Sequence, residues 1–334
     1  MEKFQNIISS LHQDLQKIDQ IILNFSVGKS PLIQEIANHL VSSGGKRIRP
    51  IIVILAAKLC GSQEGNANYS NIGNLGAAVE MIHTATLLHD DVVDNSAIRR
   101  GKKTSNAIWD NKASILVGDY LFSVAFQLMV LSNNLKILDL LAKTSSTMAD
   151  GEVMQLENSS DIEISKEKYF EIIFGKTAVL FSAAAEVGAL INEKSDSEIL
   201  ALRNFGKNLG IIFQIADDML DYSSKEQILG KDLGNDFFEG KITLPIILTY
   251  QAASLEDKSL IKGMFEKNLM ANEKKQEDFS KILNLLEKYR GMEISKRVAL
   301  DYQNEALKNL AIFPDCQAKE NLSAILDYSI SRLF

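Results

Sequence analysis

Three carboxylates stand inside an otherwise apolar run at Leu87–Asp94, LLHDDVVD. Asp90, Asp91 and Asp94 follow a D-D-x-x-D spacing. On an α-helix, residues i and i+4 lie one above the other, and i+1 sits about 100° round the barrel. The spacing therefore predicts three carboxylates converging on one patch. Like charges so close repel, and the patch asks for cations: hard divalent ions with oxygen ligands, Mg2+ above all. Far downstream, Asp217, Asp218 and Asp221 in IADDMLD repeat the spacing in a run of the same character. Six carboxylates without a His or Cys counter-ligand point away from zinc and towards magnesium. Magnesium in such sites is usually bridged by phosphate oxygens of a substrate, so basic groups should be available nearby.

Four segments supply them, each next to glycine. Gly44-Gly45-Lys46-Arg47-Ile48-Arg49-Pro50 brings three cations to a turn entering a helix. Arg99 and Arg100 lie just beyond the first triplet, and Gly175-Lys176-Thr177 interrupts a helical run. Gly230-Lys231-Asp232 and Gly240-Lys241 follow the second triplet. Arginine grips a diphosphate bidentately, and lysine acts as a point charge. His83, Thr86 and Leu87 share the helical stripe of Asp90 and Asp94; Gly210 and Gln214 share that of Asp217 and Asp221. Gly-Lys-Thr lacks the upstream glycine of a P-loop and is no NTPase signature.

The elements that must position these residues read as helices. Prolines stand only at 31, 50, 245 and 314, and nearly half of the 334 residues are hydrophobic, enough for one large core. Apolar residues from Phe4 to Ile22 recur at helical spacing and predict a helix over 3–24. Ser30-Pro31 opens the next, to about 42, and Pro50 begins a short apolar one ending near Gly61. A polar loop over 61–70 precedes a long helix over 71–95, and Arg99–Lys103 is a basic loop. Further helices are expected over 111–131, 133–157, 166–191, 197–222 and, in five segments, from 241 to 332. Ser195–Glu198 forms a capping box for the helix of the second triplet. The expectation is one all-α domain over 1–334, with inward-facing carboxylates across a cavity. A net charge of −7 argues against nucleic acid as a partner. Cys60 and Cys316, far apart and without CxxC, fit a reducing cytoplasm. The N-terminus does not read as a signal peptide, and no unbroken apolar run of spanning length occurs.

From GGKRIRP to GKDLGNDFFEGKITLP, with HTATLLHDDVVD and RRG between, the chain resembles the trans-type isoprenyl diphosphate synthases. The wording is most similar to the long-chain bacterial branch, the octaprenyl, solanesyl and decaprenyl diphosphate synthases. The resemblance implies an isoprenoid-synthase-type helical bundle around a central cavity, a homodimer, and Mg2+. It implies condensation of isopentenyl diphosphate onto an allylic diphosphate, farnesyl by expectation, with an octaprenyl-type product passed to the membrane for a quinone side chain. Residue by residue, it implies Lys46, Arg49, His83 and Arg100 for isopentenyl diphosphate. It implies Arg99, Lys176, Thr177, Gln214 and Lys231 for the allylic diphosphate. Asp90, Asp94 and Asp217 would be the chief metal ligands, with Asp91, Asp218 and Asp221 supporting them. Arg47 has no assignment.

Other readings compete with this one. A farnesyl or geranylgeranyl diphosphate synthase would share the motifs, and a silent subunit of a heteromer would share the fold. A silent subunit is expected to have lost a triplet or the basic segments, and this chain has both. A terpene cyclase needs no second diphosphate site such as Lys46, Arg49 and Arg100. Ala85 and Thr86, one turn before Asp90, are small and leave a path for a growing tail. Phe122, Phe126 and Met129 read as core rather than as a gauge of product length.

Overall fold

The computed structural model describes residues 2–26, 30–42, 45–63, 65, 69–99, 101–223, 233–270 and 276–333. The fold is all-α, apart from a two-stranded ribbon of two residues per strand. Two compact units are distinguished: Met1–Ser146 with Leu180–Gly206 and Leu307–Ile325, and Thr147–Val179 with Lys207–Ala306 and Leu326–Phe334.

The first unit opens with α1 (Glu2–Ser10) and α2 (His12–Ser26). The single predicted helix over 3–24 is thus interrupted at Leu11, although Leu11 N–H still donates to Ile7 O at 3.1 Å. The expected stripe holds: Phe4, Ile7, Leu11, Leu15, Ile18 and Ile22 are all buried. Next come α3 (Pro31–Ser42), α4 (Ile48–Leu59) and α5 (Tyr69–Val93). Pro50 sits in the first turn of α4 rather than at its start. It is tolerated there because first-turn N–H groups have no intrahelical acceptor. Ile51, Ile52, Ile54 and Leu55 are each at most 1% exposed, and full burial of such a side chain contributes about 1.5–3 kcal/mol.

After α5, Ile98–Arg99 and Lys102–Lys103 pair antiparallel, where a basic loop was expected. A short α6 (Ser105–Ile108) leads to α7 (Asn111–Leu131), which packs along α5. Asp110 caps α7 by accepting from Ala113 N–H at 2.7 Å. Gly118 lets the helices close: a Cβ there would lie 2.3 Å from Nε2 of His89. Along α7, pairs of buried residues alternate with pairs of exposed ones, and the exposed face carries Ile115, Leu116, Phe126 and Val130. Phe126, 38% exposed, is therefore not a core residue, whereas Met129 is fully buried.

α8 (Leu135–Glu157) is followed in the second unit by α9 (Lys166–Ile173) and a π-helical turn, Phe174–Ala178. Then come α10 (Val179–Leu190) and α11 (Asp196–Asp221). The capping box of α11 forms as expected: Ser195 N–H donates to Glu198 Oε2 at 3.0 Å, and Glu198 N–H to Ser195 Oγ at 3.4 Å. The rest comprises α12 (Asn235–Phe238), α13 (Leu244–Ala252), α14 (Leu255–Met270), α15 (Gln276–Lys288), α16 (Gly291–Leu310) and α17 (Gln317–Ser331). Phe237, Phe265 and Phe279 pack ring to ring within the second unit. Two stretches, Asn111–Leu131 and Lys166–Leu190, are long and apolar enough to cross a membrane. Polar residues interrupt both stretches, so neither is an unbroken apolar run in the sequence. Lys166–Leu190 is mostly buried within the protein; less than half of the apolar window of Asn111–Leu131 is.

Candidate functional site

α5 delivers the first triplet at its C-terminal end. Asp94 lies just past Val93, but its N–H still donates to Asp90 O at 2.8 Å, so the i, i+4 stacking is kept. Asp90 and Asp94 are half-buried, as is His83 two turns earlier. Asp91 is buried. Its side chain is 6% exposed and accepts from Nε of Arg99 at 2.8 Å. Burial pushes the Asp91 carboxyl up, and Arg99 opposes that. The ribbon Ile98–Lys103 is what returns Arg99 to α5.

α11 delivers the second triplet, again with its first aspartate the most accessible, but here the third is buried as well as the second. Asp217 is 42% exposed and pairs with Arg332 from the end of α17, whose guanidinium lies 4.8 Å from the Phe213 ring. Asp218 is buried, and both its oxygens accept: Oδ2 from Tyr169 Oη at 2.6 Å and Oδ1 from Gln214 Nε2 at 2.7 Å. Asp221 accepts the backbone N–H groups of Asn235 and Asp236 at 3.1 and 2.9 Å. It thereby caps the free donors of α12. Burial, then Asp236, pushes the Asp218 carboxyl up; desolvation, then Asp221, does the same to Asp236.

The expected convergence of three carboxylates therefore needs correction in both motifs. The i+1 position, about 100° away, turns inward and is held there. Gln214 donates to Asp218, one turn on, at 2.7 Å. Among the described residues, no three acidic, His or Cys side chains enclose one ion. Each motif taken by itself offers only hard oxygen donors, Asp90 and Asp94 being the less buried in the first and Asp217 in the second. That set fits an ion such as Mg2+, which takes one or two carboxylates and keeps its remaining positions for water and phosphate.

The basic segments have distinct fates. Lys46 is exposed. Arg47, left-handed at φ 47°, bridges Asp19 and Glu80 and is a structural cation of the first unit. Arg49 places its guanidinium 4.4 Å from the Phe181 ring. Lys176 and Thr177 occupy the π-helical turn, a feature often found at functional positions. Gly151 of α8 and Gly175 meet there backbone to backbone: a Cβ on Gly151 would lie 2.5 Å from Lys176 N. The approach sets Lys176 beside Glu152, with Nζ 2.7 Å from Oε2. Thr177 Oγ1 donates to Gln214 Oε1 at 2.7 Å. Arg100 and Lys231 lie outside the described residues.

Five residues at these positions escaped the sequence reading. Glu152 and Arg332 gave no signal of spacing. Tyr169 stands two helical turns before Lys176, Asp236 stands in the GNDFFEGK segment, and Glu80 sits buried in the apolar run of α5.

Comparison with known proteins matches this arrangement. Residues 30–286 match the polyprenyl synthetase family. The chain is 37% identical to octaprenyl diphosphate synthase of Haemophilus influenzae, over 96% of this chain and 94% of that protein. A decaprenyl diphosphate synthase from Rhodobacter capsulatus superposes with TM-score 0.92 at 38% identity, over 99% of both chains. A polyprenyl synthase from Caulobacter crescentus, solved with calcium and isoprenyl diphosphate, superposes with TM-score 0.90 at 39% identity, over 98% of this chain and 97% of that one. With the paired aspartate motifs, the π-helical Lys-Thr turn and these likenesses together, the chain belongs to the polyprenyl synthetase family and is a trans-prenyl diphosphate synthase, a prenyltransferase.

Proposed function

We propose that residues 1–334 act as one long-chain polyprenyl synthase domain. It condenses isopentenyl diphosphate repeatedly onto farnesyl diphosphate and makes an octaprenyl-type product for a quinone side chain. The observation that carries the reading is the common build of the two motifs: in each, the first aspartate is the more accessible and the second is buried and hydrogen-bonded. Asp90, Asp94 and Asp217 are the residues to hold Mg2+, with Asp91, Asp218 and Asp221 in support. Magnesium, when bound, supplies charge neutralisation for the departing diphosphate. Arg99, Lys176, Thr177, Gln214 and Lys231 bind the allylic diphosphate and orient it for departure. Lys46, Arg49, His83 and Arg100 hold isopentenyl diphosphate so that its double bond meets the allylic carbon. Apolar helix faces exclude water, which would quench the cation. The departed diphosphate takes the proton released when the new double bond forms.

The enzyme works in the cytoplasm as a homodimer and passes its product to the membrane. Two free cysteines fit a reducing compartment. The apolar exposed face of α7 fits a second copy, because a helix apolar on both faces calls for cover on both. The test is incubation with farnesyl and isopentenyl diphosphates and Mg2+, followed by chromatography of the dephosphorylated products. Octaprenyl-length alcohol is expected; a stop at geranylgeranyl overturns the chain-length reading.

A further inference from the structure

We propose that Tyr169 is a positioning residue for the second aspartate motif, acting through Asp218; this rests on reading that motif as a divalent-cation site. Tyr169 lies on α9 and is 3% exposed. Its ring meets Phe170 edge to face at 5.3 Å, which leaves the hydroxyl little freedom. That hydroxyl donates to Asp218 Oδ2 at 2.6 Å, and Asp218 is itself 3% exposed.

The consequence runs further than one hydrogen bond. Oδ2 of Asp218 is taken by the phenol, and Oδ1 is the oxygen left to accept from the amide of Gln214. Asp218 therefore compels Gln214 to present Nε2 to Oδ1, at 2.7 Å. Gln214 Oε1 is then the atom left to accept, and Thr177 donates to it at 2.7 Å. One chain of donors links α9, α11 and the π-helical turn that carries Lys176. Tyr169 anchors one end and fixes the rotation of Asp218. Asp217 immediately precedes Asp218 on α11, and Lys176 immediately precedes Thr177. Without the phenol, Oδ2 of a buried carboxylate loses its donor, and Asp218 is free to rotate and to release Gln214. Partners that orient ligands from behind are typically worth about 10–100-fold in metal affinity.

The full-length, substrate-free protein is titrated with Mn2+, and free ion is followed by electron spin resonance. The parent, Tyr169→Phe, Asp218→Asn and the double variant are compared. The Phe variant keeps the ring and its packing, and thermal melting confirms its fold. Tyr169→Phe is expected to weaken Mn2+ binding about tenfold, and to add almost nothing once Asp218 is Asn. With substrates, it should raise KM for the allylic diphosphate more than KM for isopentenyl diphosphate. Parent-like Mn2+ affinity in Tyr169→Phe overturns the proposal, as does a full additional effect in the double variant. A parent that elongates prenyl chains but binds no Mn2+ near the motif overturns the underlying cation reading instead.

Discussion

Nζ of Lys176 lies 2.7 Å from Oε2 of Glu152, and the two side chains are 23% and 25% exposed. The lysine proposed for the allylic diphosphate thus has a protein counter-ion that a phosphate oxygen must displace. The two partners should differ sharply in weight. A charged hydrogen bond to substrate is worth about 1.5–3 kcal/mol, so Lys176→Ala should raise KM for the allylic diphosphate about 10- to 100-fold. A partly exposed ion pair contributes about 0.2–1 kcal/mol, so Glu152→Gln should move the same constant only a few-fold. Steady-state kinetics with farnesyl diphosphate varied checks this; equal losses in both variants would make Glu152 essential for orientation.

The inward and outward aspartates predict different failures. Asp90→Ala and Asp217→Ala remove the more accessible carboxylates and should each lower kcat by about 100- to 1000-fold, the scale of a lost charge-stabilising group. Chelation of divalent ions should abolish turnover, and added Mg2+ should restore it. Asp221→Ala should mainly destabilise, because it uncovers the backbone donors of Asn235 and Asp236. Losing such a cap costs about 0.5–2 kcal/mol. Turnover and thermal melting of the three variants separate the two classes. Full activity of Asp217→Ala would remove the second motif from the reaction.

This contrast marks where reading the sequence stops. Helix positions were legible where apolar spacing is regular, as for α7, and where a cap agrees with it, as at Ser195–Glu198 for α11. The π-helical turn was invisible because one extra residue per turn changes no residue type. The ribbon at Ile98–Lys103 and the single turns α6 and α12 are too short to show a period. In the site, the chemistry was legible from D-D-x-x-D, but the facing of each i+1 aspartate was not. For Asp218 the facing depends on a partner remote in sequence, Tyr169, 49 residues away; for Asp91 it depends on Arg99, near in sequence but brought back by the strand pairing of Ile98 and Arg99 with Lys103 and Lys102.

The outer face of α7 predicts the oligomeric state. Leu116 is 67% exposed and Phe126 38% on a helix whose inner face is already buried. Leu116→Glu with Phe126→Glu should give a folded monomer, with helicity by circular dichroism unchanged. Light scattering after gel filtration reads the mass, against a chain of 37.1 kDa. A parent that runs as a monomer would leave this face without the proposed partner.

The two cysteines should behave oppositely. Cys60 is 5% exposed, and burial pushes its thiol up to about 12. At pH 8 a disulfide reagent should modify one thiol, Cys316, and reach Cys60 only after denaturant is added. Because the folded state holds the Cys60 proton more tightly, its contribution to stability is full below the ordinary thiol value of 9.0. It is lost as pH rises through about 12. Two rapid equivalents in the native protein at pH 8 would contradict this.

Under the proposed function, with the tail running along α5 away from Asp90, product length is set by what stands one turn before Asp90. The sequence offered Ala85 and Thr86 alike as the open path. The structure separates them: Ala85 is fully buried, whereas Thr86 is half-buried and donates its hydroxyl to His83 O at 2.8 Å. An enlarged residue at 85 is forced into packed core and should cost about 1–3 kcal/mol in stability. An enlarged residue at 86, which is only half-buried, costs less in packing and is the one expected to form a floor beneath the diphosphate end of the chain. Phe126 offers no deeper stop, since it sits on the exposed face of α7, while Met129 is fully buried. Thr86→Phe should therefore shorten products from octaprenyl towards farnesyl or geranylgeranyl length while the first condensation keeps its rate. Ala85→Phe should lower the melting temperature first. Chromatography of the dephosphorylated alcohols decides between them: full-length chains from Thr86→Phe would place the tail along a different face of α5.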